Sequence, residues 1–476
     1  MKTTYLVSSV IAALVSMLLL IHLIGEQSQC SDDRQCNFYK DIRGCIATSS
    51  FALATIARTS ILAPLTRLQE KQQLSSLYLN STLESIDIIA ESMEEFSHKV
   101  WEDVARKANV WNDASARSYY QPPSIDLNIS VPCDYESCKK YLLHGFLEGE
   151  WIDNNEWCQL RDVITRDMLV HYASAQFDSN FDLATHPIIL RNVLPMESFE
   201  DGSRRLTPAG ILNDTALSNI LLPNYFHDAA EIGYDALVPK SKEITLSRFL
   251  RNIQSGEAPR SKIGTQVIIE KHPELREEIF NSTLAKELFS WREDPREYLQ
   301  RWIGSHWLSW LPPTSYYPVF IADNKPDSAQ SLSYPRTDLH AEPIGNIAVQ
   351  LHGTRRWTLV ATKWSKLLRP TVSKHGRAYV YSNMDPRQEL QKRLTSLPQV
   401  YDCVTNKGDA LWVPPWMWHR VDYSYSTVDT ELDVEDTLSL GASIFHFYPK
   451  LFLQSPLFSF LVIPNLIWEV LGINIE

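Results

Sequence analysis

The sequence predicts an all-β core with flanking helices, preceded by a mainly helical N-terminal region. Short apolar runs bounded by turn residues carry the β part. Ile347–Leu351 and Trp357–Val360 flank Gly353 and the basic pair Arg355-Arg356, and Ala410–Val413 lies between Gly408-Asp409 and Pro414-Pro415. Runs of this length with Gly, Asp and Pro at their ends read as strands, and the first pair reads as a β-hairpin within one sheet. Helical spacing carries the N-terminal part, within residues 46–110. Leu83, Ile86, Ala90, Met93 and Val104 form an apolar stripe behind Ser81-Thr82-Leu83-Glu84, which has the form of a capping box. A helix that packs on the β domain suits this stripe better than a coiled-coil stalk. Length sets the scale: 476 residues at 44% hydrophobic content can bury one large domain and a smaller one.

The chain opens on Tyr5–Ile24, about twenty residues without Asp, Glu, Lys or Arg, broken only by Ser8, Ser9, Ser16 and His22. At ~1.5 Å per residue such a run spans a bilayer core of ~30 Å. The residues after it, Gly25-Glu26-Gln27-Ser28-Gln29-Cys30, offer no small-residue cleavage site, so residues 1–25 read as a signal-anchor before they read as a signal peptide. The expectation is a single-pass type II membrane protein whose body faces the ER or Golgi lumen or the cell exterior, with a secreted body as the alternative. Sequons at Asn80, Asn128, Asn213 and Asn281 agree with a glycoprotein of that route. The cysteines fall as Cys30/Cys36/Cys45 and Cys133/Cys138/Cys158, with Cys403 apart and no C-x-x-C pair. That pattern disfavours zinc and fits disulfides of open connectivity. A net charge of −12 with no long basic stripe excludes a nucleic-acid surface.

The chemistry concentrates at His340 and Glu342 in Thr337-Asp338-Leu339-His340-Ala341-Glu342, and at His419 in Pro414-Pro415-Trp416-Met417-Trp418-His419. Residues i and i+2 of a strand share a face, so His340 and Glu342 can reach one ion together. His419, past a short buried strand and a rigid Pro corner, would complete a two-His-one-carboxylate facial triad. Such a triad holds Fe(II) by one face and leaves positions open for a cosubstrate and dioxygen.

Thr337–Asn346, Gly353–Leu359 and Gly408–His419 resemble the signature blocks of JmjC/cupin-type oxygenases, nearest the factor-inhibiting asparaginyl hydroxylase group. His186–Val193 is similar to the strand that opens such domains, so the resemblance spans about residues 180–450. It implies a double-stranded β-helix, Fe(II) held by His340, Glu342 and His419, and 2-oxoglutarate as cosubstrate. It places Thr337 and Asn346 beside the cosubstrate, with Ser443 in a late strand able to face it. Arg355 stands where the family usually has a Lys that pairs with the far carboxylate of 2-oxoglutarate. Arg can do this with a bidentate fork, but the two are not interchangeable. Arg356 should face the other side of the strand. His352 and His375 fall outside the matched ligand positions, His446 lies in the late strand that can line the pocket in this family, and Trp302, Trp307 and Trp310 read as packing.

The expected organisation is residues 1–25 as anchor, 26–175 as a mainly helical Cys-containing region, 180–450 as the cupin-like domain and 451–476 as a C-terminal helical segment. Pro464 divides the apolar run Leu457–Ile473, which suggests two short helices that dock or form a homodimer. The expected function is a 2-oxoglutarate-dependent hydroxylase of a protein or peptide side chain in the secretory pathway. A non-catalytic luminal binding protein of the same fold is the alternative.

Overall fold

The computed structural model describes residues 42–58, 77–107, 120–132, 157–177, 181–222 except 201, 243–257, 262–279, 315–323, 336–423 except 374–376, 385–388 and 398, 438–447, and 452–470 except 453. Two sheets face each other. In chain order their strands are β1 (Ser124–Asp126), β2 (Ile188–Arg191), β3 (Lys262–Thr265), β4 (Ser315–Tyr316), β5 (Val319–Asp323), β6 (His340–Ala341) and β7 (Gly345–His352). There follow β8 (Arg355–Val360), β9 (Pro370–Val372), β10 (Val380–Ser382), β11 (Val400–Thr405), β12 (Ala410–Val413), β13 (Trp418–Asp422) and β14 (Leu438–His446). The larger sheet runs β1-β2-β12-β7-β14-β5-β3, with β4 also on β14, and the smaller runs β9-β10-β6-β13-β8-β11. The architecture is a jelly-roll β core with helices outside, as the sequence predicts.

The expected hairpin is corrected. β7 and β8 are not a hairpin: β7 pairs with β12 and β14, while β8 pairs with β11 and β13. Gly353, at φ +65°, turns the chain out of one sheet and into the other. The same crossing recurs from β6 to β7, from β11 through Gly408 (φ +89°) to β12, and from β12 through Pro414-Pro415 to β13. Local apolar pattern announces strands but not their partners, and the chain here winds between sheets. At the Gly408 turn Asp409 accepts from the Asn192 and Asn406 backbone N–H groups and pairs with Arg191, tying the opening strand of the domain to this corner.

Alternation sorts the side chains into three layers. Ala348, Leu411 and Val413 from the larger sheet meet Trp357, Leu359, Met417 and Val421 from the smaller between the sheets. Outside the larger sheet, helices including Arg166–Gln176 and Leu246–Ser255 cover Ile347, Val349 and Trp412. Outside the smaller sheet lie α1 (Ile42–Ala57), α2 (Leu77–Lys107), a 3-10 helix (Thr362–Leu368) and α3 (Pro456–Val470). α2 packs on the β domain as its stripe suggests, burying Ala90, Trp101, Val104 and Ala105. It begins at Leu77, so Ser81 lies inside the helix and not at its cap. α3 runs unbroken through Pro464 as one helix, not two. It docks within the chain, burying Leu457, Phe458, Leu461 and Val462, while Asn465 donates to the carbonyls of Ser373 and Arg377.

Among the described residues no helix is long and apolar enough to cross a membrane. Tyr5–Ile24, Cys30, Cys36, Cys133, Cys138, Asn281, the Trp302–Trp310 cluster and His375 lie outside the described residues. Cys403 is a buried thiol between the sheets, and burial pushes its pKa up.

Candidate metal and cosubstrate site

β6 has two residues, and its neighbours set the site. His340 lies opposite His419 of β13 and opposite Tyr381 of β10. The two imidazoles stand with ring centroids 4.2 Å apart. Glu342 arrives from just past β6, where its carbonyl accepts from the Trp416 N–H at 2.7 Å. Trp416 takes a left-handed conformation at φ +63°, unusual for a bulky residue, and its indole donates to the Phe452 carbonyl at 2.7 Å. The two halves of the site are therefore clasped together through the backbone. Ligand atoms of His340, Glu342 and His419 all lie within 4.8 Å of one another.

Protonation favours metal binding. His340 Nδ1 faces the Asp338 carbonyl at 2.7 Å and His419 Nδ1 faces the Met417 carbonyl at 3.0 Å. A carbonyl only accepts, so each Nδ1 carries the proton and each Nε2 presents a lone pair. Burial, then the neighbouring His419, hold His340 well below its usual pKa, and burial pushes His419 down to about 4. Both rings are neutral near pH 7, which is the ligating form.

Arg355 opens the second half of the site. It is 2% exposed and points between the sheets, whereas Arg356 points outward to a chelating pair with Asp402. Arg355 Nε donates to Ser439 Oγ at 3.2 Å and Nη2 to the Phe320 carbonyl at 3.0 Å, with the guanidinium 5.1 Å from the Tyr423 ring centre. Among the described residues no carboxylate pairs with it. Burial pulls its pKa down, and a buried guanidinium without an anion is costly.

The remaining expected residues are spread around this pocket. Asn346 and Ser443 face between the sheets, Ser443 opposite Ala348 in register and Asn346 opposite Phe445. Among the described residues Asn346 Oδ1, which is buried, has no hydrogen-bond partner. Thr337 Oγ1 accepts from the Val421 N–H at 2.8 Å, and its hydroxyl proton can still donate. His446 faces Ser315 Oγ at 2.7 Å on the other side of β14. Sequence reasoning missed Ser439, Gln350, Tyr423 and Lys262. Lys262 sits opposite Ala322 on the inward face of β3, donates to the Arg336 carbonyl, and is pushed down to about 8 by burial. No motif marks these four; only alternation on strands of known pairing could have found them.

A family profile described as a cupin-like domain matches residues 174–446, more than half of the chain. The chain belongs to the cupin-like domain family. No curated protein matches it. Cupin-like domains of this kind are consistent with 2-oxoglutarate oxygenases, and the residues here fit the groups such chemistry needs. Two neutral imidazoles and a carboxylate form the mixed donor set of a non-haem Fe(II) site. Buried Arg355, which pairs with no carboxylate among the described residues, calls for an anion such as the far carboxylate of 2-oxoglutarate.

Proposed function

We propose that the protein is an Fe(II)- and 2-oxoglutarate-dependent hydroxylase acting on a protein side chain in the secretory pathway. The observation that carries this reading is the His340–Glu342–His419 cluster on the same inner face as a buried guanidinium that, among the described residues, pairs with no carboxylate. Iron bound with 2-oxoglutarate would supply the oxidising power for C–H hydroxylation. His340, Glu342 and His419 would hold the metal from one side. Arg355 would pair with the far carboxylate of 2-oxoglutarate, with Thr337, Asn346 and Ser443 lining its bed. Glu342, Lys262 and Tyr381, each partly exposed, would border the opening through which the substrate approaches. Within the family we place the chain beside the asparaginyl hydroxylase group on its signature blocks, and this supports a polypeptide substrate.

The test is conversion of 2-oxoglutarate to succinate by the purified protein with added Fe(II), alone and with candidate peptides. Turnover that is lost in His419→Ala together with bound iron supports the reading. Iron stoichiometry retained in His419→Ala, or no 2-oxoglutarate binding by the native protein, would overturn it and favour a binding protein.

A further inference from the structure

We propose that Ser439, held in place by Gln350, is the positioning residue that lets an arginine serve as carboxylate anchor in this pocket. This rests on the proposed function. Ser439, Gln350 and Arg355 are 0%, 1% and 2% exposed, so the three form a closed polar network between the sheets. Gln350 Nε2 donates to the His352 carbonyl at 2.6 Å and to Ser439 Oγ at 3.2 Å. A carbonyl cannot donate, so the amide is fixed with its NH2 toward Ser439. Ser439 Oγ thus accepts from Gln350 and from Arg355 Nε, which fills both of its lone pairs.

A guanidinium can grip a carboxylate along its Nε edge or across its Nη1/Nη2 end. Ser439 takes Nε, and the Phe320 carbonyl takes one Nη2 hydrogen. The end edge is what remains for a ligand. The floor of the seat is Gly441, two residues along the same face. A Cβ there would lie 2.7 Å from Arg355 Nη2 and 2.8 Å from its Cζ. It would also lie 2.7 Å from the Val349 carbonyl, so the backbone itself closes that side. Ser439 and Gly441 together dictate which way the fork opens. A lysine ammonium is a point charge and needs no such orientation. Ser439 should therefore matter to ligand binding only while residue 355 is an arginine.

The experiment measures 2-oxoglutarate binding by calorimetry on the anaerobic Fe(II)-loaded full-length protein, with iron stoichiometry and melting temperature followed in parallel. Loss of one charge-assisted hydrogen bond predicts about tenfold weaker binding in Ser439→Ala, with Ser439→Thr close to native. In the Arg355→Lys background the same Ser439→Ala change should cost less than about twofold. Equal losses in both backgrounds would mean a merely structural role and overturn the inference, as would native binding in Ser439→Ala. Should Arg355→Lys bind too weakly to measure, the Ala-versus-Thr contrast at 439 decides: no difference overturns it. Native binding in Arg355→Ala would instead remove the proposed anchor itself, a failure of the functional reading that leaves a distinct signature.

Discussion

His340 and His419 each fix their tautomer through a backbone carbonyl two residues upstream, so the ligating nitrogens need no further partner to face the ion. Their low folded pKa values set a pH window. His419 titrates near 4 in the fold against about 6.5 unfolded, so its neutral form persists down to that pH. Iron stoichiometry should stay constant from pH 8 to 6 and fall only as the pH approaches 4. Without iron the sign is the same for stability: the contribution is complete above about 6.5 and is lost as the pH falls toward 4. A half-loss of iron near pH 6.5 would contradict this burial. At the neighbouring strand, Arg355→Ala should raise the apparent KM for 2-oxoglutarate about a hundredfold or more, since unpairing a buried charge costs roughly 3–5 kcal/mol. Arg356→Ala should change it little, because the side chain is 42% exposed and its surface pair with Asp402 is worth at most about 1 kcal/mol. The opposite ranking would show that the strand presents its other face.

At the scale of elements, α1 and α2 meet the smaller sheet through a buried charge pair. Arg58, just past α1, donates to Glu94 of α2 at 2.5 Å, and Thr371 of β9 donates to the same oxygen at 3.4 Å. Burial outweighs the arginine and pushes Glu94 up to about 7. A carboxyl with a raised folded pKa gives stability that is complete below about 4.5 and lost as the pH rises through 7. Arg58→Ala should therefore cost about 3–5 kcal/mol at pH 8 and less at pH 6, where Glu94 can protonate. Thermal denaturation at the two pH values checks it; an equal loss at both would mean that Glu94 is ionised throughout. Such elements were unevenly legible in the sequence. The inward Arg355 and outward Arg356 follow from a period of two, which a single strand contains. The crossing of the chain at Gly353 does not, because the pairing partners lie 40 to 101 residues away, at β11 and β14. The Ser439–Gln350 network was hidden for the same reason, as was the passage of α3 through Pro464, where packing on the sheet outweighs one lost backbone bond.

Over the whole molecule, the sandwich holds the candidate site inside and two of the four sequons, at Asn128 and Asn213, on its surface. Asn128 lies exposed in a turn after β1, and Asn213 is exposed at the end of a short helix. If the body enters the secretory pathway, glycosidase treatment should shift its gel mobility, and Asn128→Gln and Asn213→Gln should each remove one step. No shift at any sequon would place the body in another compartment.

The hydrogen bond from Trp416 to the Glu342 carbonyl has a kinetic reach beyond the two residues it joins. It closes a loop of more than seventy residues and brings the segments that carry His340, Glu342 and His419 together. If the cluster binds a metal as proposed, the ion would have little chain left to organise. On the proposed reading, the cluster would then take up its metal without refolding of the chain around it.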